Sequence, residues 1–142
     1  MVLNERVILV IGGVFQGKRR YLDARFGDRS ISVISPEDLF DIPTADGPCE
    51  VVILPNIERL AAHAEDPIAC IDHAIACIRE HYRPNVIAMT ANETGAGIVP
   101  VDRTTRAIRD RQGLLLSHVA RQATEIVRVL AGVPTTIKVL VT

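Results

Sequence analysis

Short runs of aliphatic residues alternate along the chain with stretches whose apolar residues recur every three or four positions. Uninterrupted apolar runs that end at Gly or Pro are typical of strands buried on both faces of a parallel sheet. We predict that Pro55 marks the end of its strand, because proline removes a ladder hydrogen bond. The predicted strands are residues 6–11, 30–35, 49–56, 85–92, 125–134 and 136–142, with a Gly-Val-Pro turn between the last two.

Three amphipathic stretches separate these strands. They predict helices over residues 18–26, 67–82 and 104–121, and the acidic connector at 36–48 has room for about one helical turn. The inner stripe of the second helix is Ile68, Ile71, Ile75, Ile78 and Tyr82, and that of the third is Ile108, Leu115 and Val119. Buried strands that alternate with amphipathic helices predict an α/β fold, with a mostly parallel sheet and helices on both faces.

The composition excludes several classes of protein. The chain has 142 residues, of which 48% are hydrophobic and only 4% aromatic, so we expect a single domain over residues 1–142 with an aliphatic core. A net charge of -1 argues against a nucleic-acid partner. No apolar run is long enough to cross a membrane, and the N-terminus lacks the features of a signal peptide. Three cysteines fit reduced thiols, so we expect a cytoplasmic protein.

The sequence "GGVFQGKR" follows the first predicted strand and precedes the first predicted helix. In this context backbone N–H groups and a helix N-terminus can hold phosphate oxygens, glycines permit close approach, and a lysine reaches the terminal phosphates. The alternative is a glycine-rich turn followed by a solvated, basic helix start. The candidate nucleotide-binding residues are Gly12, Gly13, Gln16, Gly17, Lys18 and Arg19.

Arg19 occupies the position at which the phosphate-binding loop pattern requires Ser or Thr. That hydroxyl normally binds Mg²⁺, whereas a guanidinium has no lone pair to offer a metal and would repel it. Two outcomes remain open at this point. Either Arg19 itself holds phosphate, or it points outward and leaves Mg²⁺ with its remaining ligands. Neither outcome favours fast phosphoryl transfer.

A second informative stretch runs from Asn92 to Lys138. Its residues resemble the C-terminal part of the bifunctional adenosylcobinamide kinase / adenosylcobinamide-phosphate guanylyltransferase family of cobalamin synthesis. The loop over residues 12–18 matches the start of the same family. The matching residues in the C-terminal part are Asn92, Glu93, Gly95, Gly97, Val99, Pro100, Arg109, Asp110, Gly113, Ala131, Gly132, Pro134 and Lys138.

The resemblance implies a P-loop NTPase-like sheet, a homo-oligomer, GTP or ATP with Mg²⁺ as cofactors, and a corrinoid substrate. It implies phosphorylation of adenosylcobinamide, followed by transfer of GMP through a guanylylated histidine. We take Lys18 and Glu93 as the candidate catalytic residues. Glu93 is the only acid retained from the family pattern near the carboxyl ends of the strands, where it could bind a metal, act as a base or cap the following turn.

The chain departs from the family pattern at the parts that carry chemistry. Besides Arg19, the expected acid at the end of the third strand falls on Pro55 or Asn56, and no histidine precedes His63. The Asn-Gln pair of the family is replaced around Leu116 and Ser117. We therefore expect a nucleotide-binding protein with weakened kinase activity and no guanylyl transfer through histidine.

Two alternatives to this expectation remain. The first is a non-catalytic relative that serves as an interaction or regulatory module. The second is a metal-independent anion binder built from Lys18, Arg19 and Arg20.

Two other groups of residues invite a functional interpretation. Cys70, His73, Cys77 and His81 recur along one helix, but four ligands over three turns cannot converge on one tetrahedral ion. We expect Cys70, Cys77 and His81 to be half-buried packing residues. The arginines of the third helix are expected to form a solvated face, apart from Arg109, which lies in the family motif.

Overall fold

The computed structural model describes residues 5–42, 47–93 and 102–140. Its strands are β1 (Arg6–Gly12), β2 (Ile31–Val33), β3 (Val51–Leu54), β4 (Val86–Asn92), β5 (Glu125–Leu130) and β6 (Val133–Val139). Its α-helices are α1 (Lys18–Phe26), α2 (Leu60–His63), α3 (Pro67–His81) and α4 (Arg103–Gln122). Two short 3-10 helices span Pro36–Phe40 and Ile57–Arg59.

The six strands form one sheet in the order β2-β3-β4-β1-β5-β6. Strands β2, β3, β4, β1 and β5 are parallel to one another, and β6 is antiparallel to β5. Strands β1 and β4 lie in the centre, and their C-terminal residues Gly12 and Asn92 are paired. The predicted α/β fold with a mostly parallel sheet is confirmed.

Helices cover both faces of the sheet, as predicted, and each face has its own aliphatic core. On one face, Leu22 and Phe26 of α1 pack against alternate residues of the strands, including Ile8, Val10, Ile53 and Val127. On the other face, α3 and α4 pack against the intervening residues. That core includes Leu9, Leu54, Ile71, Ile75, Ile78, Met89, Leu115 and Val119. The alternation of side chains along each strand therefore divides the apolar residues between two layers of helix.

Several boundaries differ from the prediction for local reasons. β3 ends at Leu54, as Pro55 predicted, but β2 is limited to three residues. Helix α4 begins at Arg103, because the carboxylate of Asp102 accepts a hydrogen bond from Thr105 N and caps the first turn. Ile108, predicted to be on its inner stripe, is only half-buried.

The predicted Gly-Val-Pro turn is wrong. The chain reverses at Ala131 and Gly132, which both have positive φ (49° and 80°). Positive φ at both central residues is the conformation of the two-residue hairpin turn that suits the twist of the strands. Val133 and Pro134 therefore belong to β6, which is at the edge of the sheet and tolerates a proline.

A second difference concerns the region after β3. Residues 57–63 form a 3-10 turn followed by the single turn of α2. The sequence pattern predicted no helix or strand there. Ile57, Leu60 and Ala61 are buried in this segment and fix it against the sheet. Asn56 enters the turn with φ 55°. In the part of the chain that is described, no helix is both long enough and apolar enough to span a membrane.

Candidate functional site

The loop over residues 13–17 leaves the centre of the sheet at the carboxyl end of β1. Gly12 is required there, because a Cβ atom at this position would lie 2.5 Å from the carbonyl oxygen of Val129. Gly17 has φ 94°, in the left-handed region, and turns the chain into α1. The strand, glycine loop and helix that the sequence predicted are therefore present.

The first turn of α1 presents backbone donors. The first helical hydrogen bond runs from Tyr21 N to Gly17 O at 2.9 Å, so the amides of residues 18–20 have no partner within the helix. Gly17 has no side chain with which to cap them. Such a helix start favours an anion by its unpaired N–H groups and by the helix dipole.

These amides border an open cleft of about 760 Å³ at the carboxyl ends of the strands. In open α/β sheets ligands bind at this edge. Residues from three segments line it: the loop and the start of α1, the ends of β2 and β3, and the end of β4. The lining residues are Val14, Phe15, Gln16, Gly17, Lys18, Arg19, Arg20, Val33, Ser35, Pro55, Asn56, Glu58, Arg59, Thr90 and Asn92.

Lys18 is buried, with 8% of its surface exposed, and its ammonium group bonds to the loop itself. Nζ donates to Gly13 O at 2.6 Å, to Asn92 Oδ1 at 2.7 Å and, more weakly, to Gly12 O at 3.4 Å. Burial lowers the pKa of the Lys18 ammonium, and the carboxylates of Glu58 and Glu93 oppose that shift. The lysine is thus held at the cleft wall by neutral acceptors.

Glu58 is a site residue that the sequence analysis missed. It is only 5% exposed, it lines the cleft, and its Oε1 accepts a hydrogen bond from Asn92 N at 2.9 Å. Its Oε2 is buried and has no hydrogen-bond partner among the residues that the structure describes. Burial raises the pKa of Glu58, against the opposing effects of the Asn92 amide and of Lys18.

Glu93, the acid retained from the family pattern, is therefore accompanied by a second acid near the carboxyl ends of the strands. Glu58 lies four residues beyond the end of β3, outside the Pro55–Asn56 positions at which an acid was sought. A usable signal was present in the sequence. Glu58 stands between Ile57 and Leu60, two apolar residues at the spacing of a helical turn that packs on the sheet.

Glu93 lies at the end of β4 but forms an ion pair. Its Oε2 accepts a hydrogen bond from Nη2 of Arg128, in β5, at 3.0 Å, and its Oε1 lies 2.7 Å from Nε of the same guanidinium. Its backbone N donates to Gly12 O at 2.8 Å. The pair joins the ends of two strands on either side of β1, and it occupies both carboxylate oxygens.

Arg19 lies on the rim of the cleft, and its Nε donates to Asp23 Oδ1 at 3.1 Å along the exposed side of α1. The Arg19 guanidinium lies against Asp23 while the residue still lines the cleft, so both outcomes left open by the sequence stay predictions. Gln16 is also engaged, because its Oε1 accepts from Ala131 N at 2.6 Å and its carbonyl accepts from Gly132 N at 3.0 Å. Gln16 therefore fastens the loop to the β5–β6 hairpin.

Phe15 is at the tip of the loop, where it is 99% exposed and has φ 59°. Positive φ is uncommon for a bulky residue and is found mostly at turns and functional sites. Val14 beside it is 58% exposed. The loop therefore presents an apolar tip as well as backbone donors.

The cysteine and histidine positions of α3 do not converge. Cys70 and Cys77 are half-buried as expected, but His81 is exposed at the last residue of the helix, so that expectation is wrong. His73 and Cys77 approach one another at 3.5 Å on the exposed side. Within residues 5–42, 47–93 and 102–140, no three metal-binding side chains are grouped closely enough to hold an ion.

Some residues of the resemblance lie within the described ranges, and others lie outside them. Asn92 and Glu93 end β4, while Arg109, Asp110 and Gly113 lie in α4. Lys138 of β6 donates to Ala120 O at the end of α4, at 3.0 Å. Gly95, Gly97, Val99 and Pro100 lie outside the described residues.

Two solved structures are similar to the chain, each with a TM-score just under 0.5. One is the flagellar accessory protein FlaH from Methanocaldococcus jannaschii, with a TM-score of 0.49 and 13% identity over 94% of this chain and 78% of that one. The other is project protein PH0250 from Pyrococcus horikoshii OT3, with a TM-score of 0.49 and 9% identity over 96% and 87%. No curated protein matches the sequence.

The family comparison matches residues 53–137, which is more than half of the chain. The matched region begins inside β3 and includes Glu58, Asn92 and Glu93, and it ends within β6. The matching family is described as cobinamide kinase / cobinamide phosphate guanyltransferase, in agreement with the motif read from the sequence. The chain therefore belongs to the cobinamide kinase / cobinamide phosphate guanyltransferase family.

Proposed function

We propose that the chain binds a nucleoside triphosphate, GTP or ATP, with its phosphates on the loop over residues 12–19, and transfers phosphate slowly to a corrinoid acceptor. One observation carries the proposal. The unpaired amides at the start of α1, the Lys18 ammonium and the Glu58 carboxylate border a single cleft. Family membership supplies the type of reaction.

The energetics of the cleft support phosphate binding. Desolvation already lowers the pKa of the Lys18 ammonium, so an incoming anion would stabilise its charged form. The acceptors that Lys18 now uses are neutral oxygens of Gly13 and Asn92. Hydrogen bonds between two ionised groups are shorter and stronger than those to neutral oxygens. Phosphate is therefore a better partner for Nζ than the groups that hold it.

The proposed reaction is slow because Arg19 has no oxygen to offer a metal. In phosphoryl transfer the metal ion neutralises the charge that develops on the phosphate oxygens. The acceptor would enter beside the loop tip, where Val14, Phe15 and Val33 give the cleft apolar edges. We propose no guanylyl transfer, in keeping with the lack of a histidine before His63.

We further propose that the protein works as a cytoplasmic homo-oligomer. The three cysteines are free thiols, which suits a reducing compartment. Strand β6 is an edge strand on which Val133, Ile137 and Val139 are more than half exposed. An apolar edge of this kind is a site for association with another chain.

A second candidate function is that of a non-catalytic interaction module. The three bonds that hold Lys18 inside the loop favour it, since they occupy the ammonium in the manner of a structural residue. The exposed ion pair of Arg19 with Asp23 is consistent with the same role.

Thermal unfolding with GTP, ATP and GDP, with and without Mg²⁺, tests the proposal. A nucleotide at a hundredfold excess over its dissociation constant adds about 2.7 kcal/mol to the free energy of unfolding, provided that it binds only the native state. We expect a shift of several degrees for wild type and none for Lys18→Ala, together with phosphorylation of a corrinoid by wild type alone. Absence of any shift in wild type would leave the interaction module as the better account.

A further inference from the structure

We propose that Glu58 binds the divalent cation that accompanies the nucleoside triphosphate, in place of the loop hydroxyl and strand-end acid that this chain lacks. The inference rests on the proposed function, because the cation would arrive with the nucleotide phosphates. The two positions whose side chains normally bind this cation are the loop hydroxyl and the strand-end acid. In this chain they are occupied by Arg19 and by Pro55 or Asn56. Glu58 is on a different element, the 3-10 turn after β3.

The first support is the state of the Glu58 carboxylate. It is 5% exposed in the cleft wall, where Oε1 accepts from Asn92 N while no described residue bonds to Oε2. A buried polar atom without a partner is costly, and native proteins keep few of them. A hard cation bound through an anionic oxygen would satisfy this atom, since Mg²⁺ prefers oxygen ligands and is commonly held by one or two carboxylates plus phosphates.

The second support is the balance of charge around Glu58. Lys18 and Arg59 are the cations that act on it. Arg59, which also lines the cleft, forms an ion pair with Glu37, so Lys18 is the buried cation that acts on Glu58. When phosphate oxygens take up the Lys18 ammonium, its charge is shared with a new anion. A divalent cation on the phosphates would restore the counter-charge that Glu58 loses.

The third support is the placement of the other nearby acid. Glu93 is ion-paired with Arg128, with one hydrogen bond of 3.0 Å from Nη2 and an Nε–Oε1 distance of 2.7 Å, and a metal would have to displace that guanidinium. Within the described residues, Glu58 Oε2 has no hydrogen-bond partner. Of the two acids that act on Lys18, Glu58 is therefore the one with an oxygen that no described residue satisfies.

The test is a calorimetric titration of GTP and ATP into wild type, Glu58→Gln, Glu93→Gln and the control Glu80→Gln, each with Mg²⁺ or with EDTA. Gln at position 58 retains an Oε1 acceptor for Asn92 N, removes the negative charge and replaces Oε2 by an NH2 group that cannot bind a cation. Glu80 is an exposed residue of α3, far along the chain from the loop. Glu58→Met, an apolar variant of similar volume, is the second variant should the glutamine side chain fail to pack.

We expect Mg²⁺ to tighten nucleotide binding at least tenfold in wild type and in the control Glu80→Gln. In Glu58→Gln and Glu58→Met, the gain in nucleotide affinity on adding Mg²⁺ should fall below about threefold. Nucleotide affinity in EDTA should be unchanged or higher, because these variants lack a negative charge near the phosphates. Electron paramagnetic resonance with Mn²⁺ and nucleotide gives an independent readout. It should show one protein-bound Mn²⁺ in wild type and loss of that signal in Glu58→Gln.

The outcomes separate the two proposals. Nucleotide binding with an equal Mg²⁺ gain in wild type and Glu58→Gln would overturn the role of Glu58 and leave the nucleotide site intact. Loss of the gain in Glu93→Gln instead would assign the cation to Glu93. Absence of nucleotide binding in wild type under both conditions would overturn the proposed function itself.

Discussion

The ammonium of Lys18 donates to Oδ1 of Asn92 at 2.7 Å, so the start of α1 is bonded to the end of β4 across 74 residues of sequence. Asn92 is in turn held by Glu58, whose Oε1 accepts from the Asn92 backbone N at 2.9 Å. Lys18, Asn92 and Glu58 therefore form one connected polar group in the cleft. The position of the lysine depends on residues from three separate segments.

Asn92→Asp should weaken nucleotide binding without weakening the fold. The new carboxylate would hold the Lys18 ammonium as an ion pair and repel phosphate, and both effects raise the nucleotide dissociation constant. We expect an increase of about tenfold, equal to about 1.4 kcal/mol, with no fall in melting temperature. Asn85→Asp makes the same change at the opposite, exposed end of β4 and is the control. Equal affinity in both variants would show that Lys18 does not bind the nucleotide.

The two glycines Gly12 and Gly113 should respond in opposite directions to alanine. At Gly12 the added Cβ would lie 2.5 Å from Val129 O, so we expect a loss of about 1–3 kcal/mol in the free energy of unfolding. At Gly113, inside α4, the Cβ meets nothing within 4 Å, so alanine should add about 0.5–1 kcal/mol. Urea unfolding measures both. Stabilisation by Gly12→Ala would contradict the described packing of the loop against β5.

Arg19→Ser should increase the dependence of nucleotide affinity on Mg²⁺. The substitution supplies the hydroxyl that the loop pattern contains, and it removes a cation from the rim of the cleft. Because the Arg19–Asp23 pair is exposed, the cost in stability should be below about 0.5 kcal/mol. Arg20→Ser, at the next position on the same rim, is the matched control. By calorimetry, we expect the increase in nucleotide affinity caused by Mg²⁺ to be at least threefold larger in Arg19→Ser than in wild type. We expect no such difference for Arg20→Ser.

The ion pair between Arg25 and Glu125 should make stability depend on pH in the acid range. Hydrogen bonds from Arg25 lower the pKa of Glu125 below its ordinary value of 4.5, and Arg6 adds to the effect. A lowered carboxylate pKa contributes stability that is present above pH 4.5 and is lost as the pH falls through the lowered value. Glu125→Gln should therefore cost about 1–2 kcal/mol at pH 7, between the values for exposed and buried pairs, and progressively less toward acid.

Urea unfolding of wild type and Glu125→Gln over a pH series tests this expectation. Tyr21 belongs to the same group, since its hydroxyl accepts from Arg25 at 2.9 Å, so Tyr21 must be intact in both proteins. Glu37→Gln removes an exposed partner of Arg59 and should cost less than about 0.5 kcal/mol at any pH. A constant difference between wild type and Glu125→Gln from pH 7 to acid would refute the pairing.

The fold could be predicted because its signals are local. Apolar runs bounded by glycine or proline located the strands, and helical spacing located α3 and α4 to within two residues. The hairpin turn was misplaced by one residue or more, since Ala131 gave no sign that it would adopt a positive φ. Residues 57–63 were missed, because a stretch this short contains too few turns for helical periodicity to appear.

The site could be predicted only in part, because its decisive contacts are long-range. The loop over residues 12–18 is contiguous in sequence and was recognised, but the partners of Lys18 and Glu93 come from other strands. Glu58 reaches the cleft through a turn of the chain after β3, and nothing at the Pro55–Asn56 positions indicated it. Pairings of this kind depend on the order of the strands in the sheet. A single sequence does not specify that order.

The most direct measurement of the central claim is the chemical shift of the backbone amides at the start of α1. In a titration of ¹⁵N-labelled protein with GTP or ATP, we predict saturable shifts of the amides of Gly17, Lys18, Arg19 and Arg20, and their loss in Lys18→Ala. Shifts that saturate elsewhere while these four amides stay in place would contradict binding of phosphate by this loop.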